Sequence, residues 1–158
     1  MHNKSVWAKT FFILATLLMI FCLSSCAGME QKRDKFMAEG KASFAKGDYI
    51  TARLQFKNAL QLDPEMAEAH MWLGKTELHL NNPRGAFGSL SKAVQVNPDL
   101  FEAQVILGNL FLLGKKLDDA EAKADLVLAK EPQNPDALML SARLALAKEQ
   151  PQRALAIL

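Results

Sequence analysis

Apolar and small residues recur along this chain at the three- and four-residue spacing of one helix face, and that pattern restarts every 34 residues. Pro64, Pro98 and Pro132 are 34 apart, as are Ala52, Ala86, Ala120 and Ala154. Gly40, Gly74 and Gly108 keep the same interval, and Ala142 takes the fourth glycine position. A fixed period of this length denotes stacked supersecondary units in place of one irregular core. Within the second period a first helix is predicted from about Met66 to Leu80 and a second from Pro83 to Val96. Gly74 and Ala86 are the close-approach positions, with Leu73, Leu90 and Ala93 filling the space around them. The breaks are equally regular. Gly47 stops a helix and Asp48 caps the next. Asn82 caps a helix whose first residue is Pro83, and Pro151 stands in the same place one unit from the end. Pro64, Pro98 and Pro132 end each second helix and turn the chain into the next unit.

These residues carry a family resemblance. Gly40, Gly47-Asp48-Tyr49, Ala52, Phe56, Ala59-Leu60 and Asp63-Pro64 resemble a tetratricopeptide repeat. So do Trp72-Leu73-Gly74, Ala86, Leu90, Ala93 and Asn97-Pro98. The resemblance implies an all-α fold, a right-handed superhelical α-solenoid of antiparallel helix pairs. Its units would be 33–66, 67–100, 101–134 and an incomplete 135–158. Departures are local. The usual first-helix tryptophan position holds Phe36, His70, Gln104 and Leu138. In the third unit Ala124 replaces a common aromatic and Val127 a common alanine, so weaker packing is expected there.

The N-terminus carries a second pattern. Lys4 and Lys9 precede an apolar run from Thr10 to Leu23, and Ser24-Ser25-Cys26-Ala27 follow. A basic segment, a short apolar stretch and small residues describe a secretory signal peptide. About 14 residues make a helix of about 21 Å, short of the roughly 30 Å hydrocarbon core, so a retained membrane span is the weaker reading. Leu23-Ser24-Ser25-Cys26 resembles the bacterial lipobox, which implies removal of residues 1–25, acylation of Cys26 and a short tether over 26–32. The alternative is an ordinary signal peptide cut after Ala27. With Cys22 removed, Cys26 is the one cysteine left, so no intramolecular disulfide is available. The bacterial cell envelope is the expected location, anchored by lipid and facing the periplasm. The alanine after the cysteine favours the outer membrane where one exists.

Charge narrows the field of functions. The chain has 19 basic and 17 acidic residues. Without Lys4 and Lys9 it is balanced, and no basic patch of nucleic-acid-binding density is present. The glycines are isolated repeat positions, not a phosphate loop. His70 and His79 are nine residues apart and make no i, i+4 metal pair. His70 is expected in the core, and His79 near a helix end that favours a cation. Asp118, Asp119 and Glu121 cluster at a helix start, where the dipole favours acids. No nucleophile–base set is evident, so neither an enzyme nor a cofactor is expected.

What remains is the hollow of the solenoid. In tetratricopeptide proteins it is lined by first-helix positions two, five, six, nine, twelve and thirteen of the period. By that resemblance, position nine gives Lys41, Lys75, Asn109 and Arg143, a polar-to-cationic stripe able to pair a carboxylate or backbone carbonyls. Position five gives Met37, Met71, Val105 and Met139, an adaptable apolar surface. Position twelve gives Phe44, Leu78, Leu112 and Leu146. Met37, Lys41, Met71, Lys75, Val105, Asn109, Met139 and Arg143 are therefore the expected partner-binding residues, and Lys75 is expected to matter little for stability. The carboxylate clamp of heat-shock co-chaperones is not matched at positions five and six, so an amphipathic helix or extended segment is the expected guest. The almost wholly apolar run Ala154-Leu155-Ala156-Ile157-Leu158 leads us to expect further repeats or a partner over this end.

Three classes of function follow. The first is a lipid-anchored envelope scaffold for an assembly or export system. It is similar in layout to the tetratricopeptide lipoproteins that accompany exosortase and exopolysaccharide systems. The second is a periplasmic chaperone-like binder of exported chains. The third is the non-catalytic N-terminal part of a larger enzyme.

Overall fold

The computed structural model describes residues 28–157, and every element among them is an α-helix. The expected signal segment, the lipobox-like residues and Cys26 lie outside the described residues. Helix α1 occupies residues 28–45. It is followed by α2 (Tyr49–Leu62), α3 (Ala67–His79), α4 (Pro83–Val96), α5 (Phe101–Leu113), α6 (Leu117–Lys130), α7 (Pro135–Ala147) and α8 (Pro151–Ile157). Connections of three or four residues make consecutive helices antiparallel neighbours. Each helix touches the next one in sequence, and α5 also touches α7. The result is four helix pairs stacked in a row, as the 34-residue period predicts. No described helix is long and apolar enough to cross a membrane.

The turn inside each pair is built the same way four times. Gly47, Asn81, Lys115 and Glu149 all adopt left-handed backbone, with φ of 78, 55, 58 and 60°. The next residue then donates its N–H back to a carbonyl of the helix it has left: Asp48 to Ser43, Asn82 to Glu77, Lys116 to Phe111 and Gln150 to Ala145. These bonds satisfy carbonyls that a helix end otherwise leaves open. Side-chain caps start the following helices where the sequence supplies them. Asp48 accepts from the Thr51 N–H at 3.1 Å, Asn82 from Gly85 at 3.1 Å and Asn134 from Ala137 at 3.0 Å.

Three apolar clusters follow one another along the stack, each shared by one pair and the first helix of the next. Phe56 and Leu90, fully buried, lie under Gly40 and Gly74, where a Cβ would stand 2.6 Å from the facing side chain. The third unit solves the same problem differently. Ala124 leaves space where Phe56 and Leu90 stand in the earlier units, and Leu140 from α7 enters the same cluster, fully buried. A Cβ on Gly108 would stand 2.5 Å from Leu140 Cδ2. The expectation of looser packing in this unit is therefore corrected: a neighbour's leucine fills the gap that a short side chain opens.

Candidate functional site: the hollow of the stack

Position nine of each first helix and position two of the next form a ladder between units. Lys41 Nζ lies 2.6 Å from Glu68 Oε1, and Lys75 Nζ lies 2.5 Å from Glu102 Oε1. Lys75 also sits 4.1 Å from the centre of the Trp72 ring, and Lys41 sits 5.7 Å from it. The indole face adds a favourable quadrupole interaction with each ammonium. These two lysines are thus occupied by the protein itself. They are not the open cationic stripe expected from sequence.

The ladder breaks at its third step. Position nine is Asn109, which cannot pair with a carboxylate as a cation, and Asp136 at position two of the next unit has no ion-pair partner among the described residues. Asn109 Nδ2 donates to the Val105 carbonyl at 3.0 Å. Its Oδ1 accepts from Arg143 Nη1 at 3.1 Å. Arg143 has no carboxylate partner among the described residues either. Around this break α5 and α7 part to leave a groove of about 240 Å³, lined among others by Glu102, Ile106, Asn109, Asp136, Met139 and Arg143. The groove thus offers one acid with no ion-pair partner among the described residues, one guanidinium with unused donors, and the apolar surfaces of Met139 and Ile106.

Position five departs from expectation. Met37, Met71 and Val105 are 4, 4 and 5 % exposed, whereas Met139 is 44 % exposed. The physical reason is the stacking: each position-five side chain is covered by the first helix of the unit that follows. Met37 meets Ala69 and Leu73, Met71 meets Ala103 and Leu107, and Val105 meets Ala137 and Leu140. Met37, Met71 and Val105 are core residues, and of the four position-five residues Met139 alone is exposed. Position twelve behaves alike, with Phe44, Leu78 and Leu112 partly buried and Leu146 exposed.

His70 departs from the core role expected of it, whereas His79 stands in the last turn of α3 as expected. His70 is only partly buried, and its Nε2 donates to the Pro64 carbonyl at 2.9 Å. Gln104, one period later, donates from Nε2 to the Pro98 carbonyl at 2.9 Å. In the second and third units position four thus ties down the turn that leads into the unit. His79 is exposed, stacks on Tyr49 at 4.3 Å and meets the edge of Phe44 at 5.1 Å. Glu121 pairs with Lys148 at 2.5 Å, and that hydrogen bond holds its carboxyl below the usual glutamate range. No group of three or more His, Cys, Asp or Glu residues suited to a metal occurs among the described residues. The position-two acids were missed, although acids at residues 34, 68, 102 and 136 repeat at the chain's own period.

Comparison with known proteins agrees with this architecture. Two family models match, one described as TPR repeat over residues 40–78 and one as Tetratricopeptide repeat over residues 80–135. Human DnaJ homolog subfamily C member 3 is 30 % identical over 105 residues, covering 66 % of this chain. The match takes in only 21 % of that relative's length. Among solved structures, the second TPR domain of human RPAP3 in complex with an HSP70 peptide superposes with a TM-score of 0.68 at 18 % identity, covering 73 % of this chain and 97 % of the other. YrrB, a TPR protein with an unusual peptide-binding site, gives 0.69 at 23 % identity, covering 86 and 77 %. The chain carries tetratricopeptide repeats, stacked as four helix pairs over the described residues.

Proposed function

We propose that this protein is a non-catalytic interaction scaffold, held in the bacterial cell envelope by lipid on Cys26, that grips a polypeptide segment in the groove between α5 and α7. The observation that carries the reading is the broken ladder: Lys41 and Lys75 are neutralised internally, while Asp136 and Arg143 remain available on either side of Met139. A segment suited to this groove brings an amine to Asp136, a carboxylate or backbone carbonyl to Arg143, and an apolar side chain to Met139 and Ile106. Similar folds seen with peptides, or described as binding them, support a peptide guest. The lipobox resemblance supports the anchor and, with it, service to an assembly or export system of the exosortase–exopolysaccharide kind.

A photoreactive residue at Met139 tests the groove in cells. One or two discrete adducts are expected, lost in Asp136→Lys and Arg143→Glu variants. A smear of many products points instead to a chaperone of exported chains, and no adduct removes the groove reading. Cys26→Ser tests the anchor separately: the protein is expected to leave the membrane fraction. Retention of Cys26→Ser on membranes overturns the lipid assignment.

A further inference from the structure

The second helices of the first three units turn two rows of side chains away from the stack. Position twenty-two carries Leu54, Gly88 and Ala122, and position twenty-five carries Lys57, Ser91 and Asp125. Position twenty-two is exposed in all four units, so stacking does not dictate what stands there. Its occupants nevertheless change along the stack. On α2 Leu54 is 57 % exposed and Ile50, one turn before it, 67 %, whereas α6 offers alanine. A hollow of about 470 Å³ runs along α2 beside Ile50, Thr51, Arg53, Leu54 and Lys57. Charge changes sign in the same direction. Lys57 and Asp125 are both exposed, and neither has an ion-pair partner among the described residues.

Gly88, between them, is not demanded by the fold. It lies inside α4 without left-handed backbone, and a Cβ there would meet nothing within 4 Å. Glycine inside a helix is less stable than alanine, and one that no neighbour requires leaves room for close approach from outside.

Each row complements its own reverse: leucine with alanine and lysine with aspartate, with Gly88 and Ser91 at the centre. Rotation about an axis parallel to the helices keeps their direction and height. A two-fold axis running along α4 therefore lays α2 of one copy over α6 of another in unchanged register. Leu54 of one copy then meets Ala122 of the other, Lys57 meets Asp125, and each contact is made twice. The two Gly88 residues face one another on the axis. An axis running across the helices would instead lay α2 on α2 and α6 on α6, gathering cations in one place and acids in the other. An anionic lipid surface also fits poorly, because α6 presents Asp118 and Asp125 on this same side.

We infer that the outer side of α2, α4 and α6 seats a second copy of this chain, related to the first by a two-fold axis along α4. The inference stands apart from the groove between α5 and α7, since it uses none of the residues that line it.

A photoreactive residue at Gln95, one turn beyond Ser91, tests this in the full chain purified in mixed micelles of detergent and phosphatidylglycerol. One adduct of twice the chain's mass is expected, mapping by mass spectrometry to α4 of the second copy. Gly88→Leu fills the axis and should abolish the adduct while leaving the helical circular dichroism unchanged. Lys57→Asp alone and Asp125→Lys alone should each raise the concentration of half-maximal cross-linking about tenfold, since two opposite-charge contacts become like-charge ones. An equimolar mixture of those two variants should recover cross-linking, because each supplies the charge the other lacks. Adducts to lipid alone overturn the inference in favour of a membrane-facing side. An uncross-linked chain, a dimer indifferent to Gly88→Leu, or a mixture that fails to recover overturns it as well.

Discussion

Lys115 and Glu149 hold a backbone conformation that Gly47 adopts without strain. Left-handed φ costs a residue with a Cβ roughly 1–2 kcal/mol, and glycine's greater freedom in the unfolded chain offsets roughly 0.5–1 kcal/mol of any relief. Lys115→Gly should therefore raise stability by about 0.5–1 kcal/mol in urea titration. Lys75 moves the opposite way from the sequence-based expectation. Its ammonium serves both Glu102 and the Trp72 ring, so Lys75→Ala should lower stability by about 1 kcal/mol, the sum expected of a partly exposed ion pair and a cation–π contact. A thermal midpoint within error of the parent would contradict this. The sequence showed Lys75 at position nine and Glu102 at position two. Their meeting required the offset between stacked helices, which a single period does not contain.

At the scale of helices, two boundaries invite measurement. Ala86 is fully buried where α4 crosses α3 beside Gly74. Ala86→Leu should force the pair apart and lower stability by about 1–3 kcal/mol, read as a reduced urea midpoint. The α6–α7 boundary is sensitive to acid. The Lys148 hydrogen bond, with the charges of Lys148 and Arg153, lowers the folded-state pKa of Glu121. Its stabilising contribution is therefore full above the ordinary glutamate pKa and is lost as pH falls through the lower folded value. Thermal midpoints of the parent and Glu121→Gln should converge as pH falls from 7 to below about 4. Parallel curves over that range would assign Glu121 no such role. The helices themselves were legible in the sequence because caps and prolines are local: Asp48 and Asn82 cap as expected, and α4 runs Pro83–Val96 as read from the period. Compensation by Leu140 was not legible, since Ala124 looks like a defect until α7 is seen against it.

Over the described residues the stack is one-dimensional, each unit joined to its neighbours, and stability in such stacks is a sum of unit and boundary contributions. Leu140 belongs to the boundary between the third and fourth units and also fills the third unit's core. Leu140→Ala should cost about 2–5 kcal/mol and separate unfolding of the last pair from that of the rest, giving two phases by circular dichroism. A single transition shifted as a whole would show tighter coupling across the stack. The order of helices, their ends and the 34-residue register were determined by the sequence alone, because helix periodicity, glycine, proline and capping residues act over a few neighbours. Which face is open was decided only by the tertiary structure. Stacking turned Met37, Met71 and Val105 inward and left Met139 outside, and it spent Lys41 and Lys75 on carboxylates 27 residues away. Burial and ion pairing depend on what stands opposite a side chain, and that is a property of the assembled stack.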